Sequence, residues 1–340
     1  MLRYSADGKA RDPFTGIYGS QEWLFPYEHR DRFTFPRIIT VEPTNHCNND
    51  CLYCSRQLMT RPKGFMALET MEKIAREAGG QSAPVAIRFG GMGEPLLHPK
   101  FVELVRTAKS HGVLTFTFTN GRFLTEKRMA QLIEAGLDEI RFSSAGLDAE
   151  THDAVRLKSD YHRDFLQKIR LARRLRDHAP GRTPYLSVLT HVLVKGANET
   201  ADAARYADFL LQWVDKVAID LTDYSHVQDV ERAKPLFETS GVRRVYQPCV
   251  ELLIRKAVWW DGTVVCCDNY WDASVEAMVL GNLNAGDTIA SCYASPKMRQ
   301  LLADLGHAPL RHAAYPVCRN CYRVTDRYEP MKLELLQQGA

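Results

Sequence analysis

The sequence predicts an α/β protein: a partial (β/α)6 barrel of TIM type followed by a small cysteine-rich C-terminal region. Three observations carry this. Short apolar runs alternate with amphipathic stretches six times between residues 37 and 225. Glycine-rich or polar turns close several of those runs. Six of the nine cysteines fall in the last hundred residues. Alternating strands and helices give a parallel sheet with helices outside, and 340 residues are enough for one large domain with an appendage.

Residues 1–36 are aromatic and polar without a clear period, so they read as a lead-in lying across the barrel. Strands are expected at Ile38–Glu42, Val85–Phe89, Leu114–Phe118, Glu139–Ser143, Leu186–Leu193 and Val217–Leu221. Helices are expected from about Ala67, over Pro99–His111, from Thr125, near Asp164–Arg176 and over Ala201–Trp213. The division that follows is a lead-in at 1–36, a barrel at 37–240, a cysteine-rich region at 241–330 and a tail at 331–340. Active sites of parallel barrels lie at the C-terminal ends of the strands, so the loops after each strand are where chemistry is sought.

Composition excludes some classes. Apolar residues make up 45% and charged residues 25%, and the net charge of +3 is too small to argue for nucleic acid or a membrane surface. No apolar run reaches spanning length, and the N-terminus has no apolar signal core. A cytoplasmic protein is expected. There thiols stay reduced, and nine cysteines suggest metal ligands rather than disulfides.

Cys47, Cys51 and Cys54 follow the first strand with C-x3-C-x2-C spacing. Iron–sulfur clusters usually take four cysteines, so three on one loop leave one iron open to a substrate or cofactor. A zinc site with His46 as fourth ligand is the alternative. After the second strand comes Phe89-Gly90-Gly91-Met92-Gly93-Glu94-Pro95, where glycines let backbone approach a ligand closely.

The cysteine loop resembles that of the radical S-adenosylmethionine (SAM) enzymes, and Tyr53 stands where that family packs a ring near the adenine. The resemblance covers roughly residues 36–225. It implies a [4Fe–4S] cluster that binds SAM and cleaves it to methionine and a 5′-deoxyadenosyl radical, which takes a hydrogen atom from the substrate. It also implies a flavodoxin or ferredoxin reductant. Gly91, Gly93 and Glu94 are similar to the family's Gly-Gly-Glu motif for the SAM amino group, with Met92 replacing its first glycine. Ser143 fits the family's Ser-x-Asp-Gly near the ribose or carboxylate, but Ala145 replaces the acid. Asn120, ending the third strand, faces the same side. For a polar substrate the candidates are Glu42, Arg88, Thr190, His191, Asp220, Asp223, Tyr224 and His226, with Glu42 preferred over His226.

The later cysteines are Cys249, Cys266, Cys267, Cys292, Cys318 and Cys321. Trp260-Asp261-Gly262-Thr263 reads as a hairpin turning at Asp-Gly, and a helix is expected at Pro296–Leu305. The region resembles the "twitch" segment, a short relative of the SPASM domain. That implies one auxiliary [4Fe–4S] cluster on Cys249, Cys267, Cys318 and Cys321; zinc on the same four cysteines remains the alternative. Cys266 and Cys292 are left as packed thiols or hydrogen donors.

Relatives of this short form act on sugar, aminocyclitol, aminoglycoside or nucleoside natural products, antibiotics among them. The resemblance therefore implies oxidation of a secondary alcohol in such a substrate, with the auxiliary cluster as acceptor. Redox-neutral or eliminating chemistry on the same substrates is the first alternative. Peptide modification is the second, although 36 residues before the first strand are too few for a peptide-recognition domain. A non-catalytic electron carrier is the third. Neither nucleic acid nor membrane is expected as a partner, and oligomeric state is not legible.

Overall fold

The computed structural model describes residues 2–5, 12–14, 17, 33–193, 199–222, 249–268, 276–306, 315 and 318. Asp223, Tyr224, His226 and Cys321 lie outside the described residues.

The expected strands form: β2 (Ile38–Val41), β4 (Ala86–Phe89), β5 (Leu114–Thr119), β6 (Glu139–Ala145), β8 (Tyr185–Leu193) and β9 (Lys216–Thr222). They pair in parallel in that order. Helices α1 (Leu68–Gly79), α2 (Phe101–Ser110), α3 (Glu126–Glu134), α4 (Ala149–Val155), α5 (Gln167–Asp177) and α6 (Glu199–Leu211) make the crossovers. Sequence chemistry sets their starts. The Thr125 hydroxyl accepts from Arg128 N–H, and the Asp148 carboxylate accepts from Thr151 N–H at 2.7 Å. The helix expected near Asp164 begins instead as a π-turn over Tyr161–Leu166, which runs into α5.

The structure adds two features. In the lead-in, β1 (Leu2–Ser5) pairs antiparallel with β9. The C-terminal region extends the barrel sheet. Following α7 (Glu251–Ile254), β10 (Arg255–Val258) pairs parallel with β2, and β11 (Thr263–Val265) and β12 (Val279–Asn282) continue outward. The result is one sheet in the order β1-β9-β8-β6-β5-β4-β2-β10-β11-β12. Helix α9 (Pro296–Leu305), reached through α8 (Ile289–Tyr293), has its expected bounds.

Side chains alternate across each strand. Ile39, Val41, Ile87, Phe89, Ile140 and Phe142 join the main apolar core under the helices. The opposite face carries Thr40, Arg88, Phe118 and Arg141. At its N-terminal end Ile38, Ala86 and Phe116 pack with Phe14 and Ile17, so the lead-in plugs that end of the barrel. The Lys216–Asp12 ion pair at 2.5 Å fastens the plug. Among the described residues no helix is long and apolar enough to cross a membrane.

One buried group makes stability pH-dependent. His152 on α4 is fully buried; its Nδ1 stands 3.4 Å from Ala145 N–H, and burial, with the Arg156 charge, lowers its pKa to about 3. Its unfolded value is near 6.5. Below that pH the unfolded chain takes up a proton that the folded chain refuses. The expected loss from this group is about 2 kcal/mol by pH 5, growing as pH falls further towards the folded value. Urea unfolding of wild type and His152→Gln at pH 7.5 and 5 checks this: the variant's loss between the two should be smaller by about that amount.

Candidate metal centre and cofactor site

The loop after β2 is pinned from several sides. Thr44 Oγ1 donates to Gly64 O at 2.6 Å, Asn45 Nδ2 to Pro62 O at 2.8 Å, and Trp260 Nε1 to Pro62 O at 3.1 Å. Cys54 N–H closes a turn on Cys51 O at 3.0 Å. Within the loop, β3 (Asp50–Cys51) pairs antiparallel with β7 (Arg156–Leu157), which brings Arg156 beside the cysteines.

Arg156 is 4% exposed and donates from Nη1 to the Tyr53 hydroxyl at 2.6 Å; its Nε has no hydrogen-bond partner. Burial works against its charge, but Tyr53, Cys51, Cys47 and Glu94 outweigh it and raise its pKa. The cysteines are shifted too. Burial, helped by Glu94, pushes Cys47 up to about 12, and burial with Cys51 pushes Cys54 up to about 11. Such thiols stay protonated until a metal displaces the proton. A buried guanidinium beside them then meets thiolates rather than thiols. Three thiols with a buried guanidinium beside them are the donor type an iron–sulfur cluster of net negative charge takes, though among the described residues no three such side chains stand grouped as metal ligands, and the bare Nε would suit an anionic ligand such as a carboxylate.

The glycine turn closes over this loop. Gly91 has φ +107°, the left-handed region that glycine tolerates. Gly93 lies against the loop backbone, where a Cβ would meet His46 O at 2.7 Å and Thr44 O closer still. Glu94 N–H donates to His46 O at 2.8 Å. The buried Glu94 carboxylate accepts from Leu96 N (3.1 Å), Thr119 Oγ1 (2.8 Å) and Asn120 N (2.8 Å). Burial still raises its pKa, against those donors. A carboxylate has about four acceptor sites, so about one is left for an ammonium. Asn120 Nδ2 in turn donates to Asn48 Oδ1 at 2.8 Å, tying the third strand's end to the cysteine loop.

Ser143 alternates towards the barrel interior, whereas the buried Ser144 bonds Thr190 at 2.6 Å on the helix side. His191 faces the site, its ring 5.1 Å from Tyr53. Asp220 is its backbone partner on β9. Arg61 grips the Glu42 carboxylate at 2.7 and 2.5 Å, and Met92 N–H adds a bond at 3.2 Å. That arrangement holds the glycine turn to the first strand and, as at Glu94, leaves about one acceptor site open. Arg61 itself lies 4.1 Å from the Trp259 ring.

The later cysteines converge only in part. Cys249 precedes α7, Cys266 and Cys267 follow β11, and Cys318 N–H bonds Tyr315 O at 2.9 Å. Cys266 interacts directly with Cys267 and electrostatically with Cys318, and burial adds to the rise in its pKa. Cys292 is packed, one of its two expected roles. It is buried on α8 with Asp287 and Glu77 near it, and a Cβ on Gly281 would meet its Sγ at 2.7 Å. Glu77 lies in the last turn of α1, and that helix runs back from the cysteine loop to the N-terminal ends of the strands. A hydrogen donor at the barrel mouth is not what this position supplies.

Arg61, Arg156 and the fully buried Lys256 escaped the sequence. Arg156 reaches a partner 103 residues away, and no local pattern announces that. Lys256 sits in Arg255-Lys256-Ala257-Val258, which reads as an ordinary strand.

A sequence model of the radical SAM superfamily matches residues 41–210, half of the chain. The chain belongs to the radical SAM superfamily. A second model, for the SPASM iron-sulfur cluster-binding domain, matches residues 249–322. This radical SAM enzyme accordingly uses a SAM-binding [4Fe–4S] cluster, SAM and an auxiliary iron–sulfur cluster. The tungsten-containing aldehyde ferredoxin oxidoreductase cofactor-modifying protein of Pyrococcus furiosus is 29% identical over 170 residues, 50% of this chain and 48% of that one. The chain thus spans about half the length of that relative. The structure of BtrN in complex with AdoMet and 2-DOIA is similar at TM-score 0.55 and 17% identity, covering 84% of this chain and 93% of that chain. Streptococcus suis SuiB bound to precursor peptide SuiA is similar at TM-score 0.56 and 12% identity, covering 94% and 79%. At such identities the two structures share the fold, an α/β partial barrel with a small C-terminal region.

Proposed function

We propose that this enzyme oxidises a secondary alcohol of a small sugar-like molecule, an aminocyclitol, aminoglycoside or nucleoside, to a ketone. When bound, SAM and its cluster would supply hydrogen-atom abstraction, and an auxiliary [4Fe–4S] cluster would supply an acceptor for the second electron. Cys47, Cys51 and Cys54 would hold the first cluster, and Cys249, Cys267, Cys318 and Cys321 the second. Glu94 and Asn120 order the turn that receives the SAM ammonium, while Arg156 offers charge to its carboxylate. Gly91 and Gly93 would give backbone access, Ser143 would face the ribose and Tyr53 the adenine. His191 would accept the hydroxyl proton; Asp220 is its backbone partner on the neighbouring strand.

One observation carries the oxidative reading. Arg88, on the barrel interior, forms an ion pair with Asp268, the residue after Cys267, and stacks 4.4 Å from Phe118. This pair ties the segment just after Cys267 to the barrel interior, which supports an electron acceptor within reach of a substrate held there. Likeness to a BtrN structure that holds 2-DOIA supports a small polar substrate. Likeness to SuiB bound to its precursor peptide favours a second reading, peptide modification. A flavodoxin or ferredoxin is the reductant that this chemistry requires.

The test is anaerobic turnover of aminocyclitols and nucleosides deuterated at the carbinol carbon, with SAM and reductant. Deuterium in 5′-deoxyadenosine and a ketone two electrons above the substrate are expected. Turnover of a peptide with no transfer from any sugar-like compound would overturn the reading, as would a product at the substrate's oxidation level.

A further inference from the structure

Lys256 on β10 is 0% exposed. Its Nζ donates to Leu252 O at 2.6 Å and to Arg255 O at 2.9 Å, and lies 4.9 Å from the Tyr293 ring centroid. Lysine is almost never fully buried unless paired. The nearby acids serve Arg255: Glu251 sits 3.1 Å from its Nε and Asp268 2.8 Å from its Nη1, and Asp268 also binds Arg88. Among the described residues, no carboxylate lies within salt-bridge distance of Lys256.

What lies on its other side is cysteine. β10 and β11 pair Ala257 with Val265. One further step of that antiparallel register sets Lys256 opposite Cys266, with Cys267 next. Leu252, whose carbonyl receives Nζ, bonds back through its N–H to Cys249 O at 3.4 Å. A buried charge needs a counter-charge, and thiolates on a metal centre would provide one.

We propose that Lys256 is the counter-charge of the auxiliary iron–sulfur cluster, and that its ammonium, held by two backbone carbonyls, raises that cluster's reduction potential, fitting it to accept an electron. Reduction adds a negative charge to the cluster, and a nearby cation in a medium of low dielectric stabilises the reduced form more than the oxidised one. The inference rests on the auxiliary cluster occupying these cysteines. Helix α7, with four residues, offers little dipole for a lysine to cap, so capping alone does not account for the burial.

The test is a redox titration of the reconstituted full chain, followed by electron paramagnetic resonance. The SAM-binding cluster is the internal reference, since SAM addition changes its signal alone. Lys256→Met removes the charge, Lys256→Gln keeps a donor for the two carbonyls, and Lys256→Arg keeps the charge. The auxiliary potential should fall in the Met and Gln variants and stay near wild type in Arg, with the reference unmoved in all three. Loss of the auxiliary irons in Met and Gln but not in Arg also supports the counter-charge. An unshifted auxiliary potential in Met or Gln, or equal loss of those irons in all three, overturns it. Wild-type protein with about four irons per chain and zinc would instead refute the auxiliary cluster itself, a failure distinct from that of Lys256.

Discussion

Replacing Cys51 with alanine is expected to abolish SAM cleavage. On the proposed ligand set, three cysteines on one loop would hold the SAM-binding cluster, and two would not. Removing a mere outer partner of a metal ligand costs about 10- to 100-fold; removing a ligand should cost more, taking 5′-deoxyadenosine formation below detection. Iron should fall from about eight to about four per chain, because the proposed auxiliary ligands Cys249, Cys267 and Cys318 lie in a separate, C-terminal segment of the chain. The fold should survive. Cys51 contributes one position to a two-residue ladder with Arg156, and the main core does not include it. Iron analysis together with deoxyadenosine counts checks both halves. A Cys51→Ala protein that cleaves SAM at the wild-type rate would remove this loop from the chemistry.

Gly93→Ala is the second large effect, and its cause is steric. The new Cβ would sit 2.7 Å from His46 O, and nearer to Thr44 O, in backbone that the loop's hydrogen bonds already fix. The contact must open, stretching the Glu94 N–H to His46 O bond at 2.8 Å. Overpacking of this kind costs about 1–3 kcal/mol. Since about 1.4 kcal/mol is tenfold in binding, SAM affinity should fall by about tenfold or more. Gly112→Ala is the control. That glycine has φ +71° but nothing within 4 Å of its Cβ position, so it should lose some stability and no SAM affinity. Calorimetric titration with SAM distinguishes them. Wild-type affinity in Gly93→Ala would mean that the turn does not bear on SAM.

Much of this was legible in the sequence, for identifiable reasons. Each barrel strand is a local apolar run with a turn after it, and helices start at residues such as Thr125 that cap them by their own chemistry. The helix expected around Pro296–Leu305 forms there, with Ser295 capping one end and Gly306 following the other. Some misses are local, such as the short helix Ala149–Val155; the larger ones are long-range. Leu2–Ser5 becomes a strand only because β9 offers an edge more than two hundred residues later. β10 joins β2 rather than forming its own sheet, and nothing in Arg255–Val258 says where its partner lies. At the site, the cysteines and glycines declared themselves by spacing. Glu42 was recognisable as unusual, but its grip by Arg61 depends on how a loop of about twenty residues folds back. Arg156 and Lys256 acquire meaning only from the cysteines that tertiary structure brings to them.

The most direct measurement is anaerobic reconstitution of the full chain, with iron counted per chain and 5′-deoxyadenosine followed after adding SAM and a strong reductant. About eight irons and deoxyadenosine formed in step with methionine are the predicted result. A fully loaded protein that forms no deoxyadenosine would contradict the account at its centre.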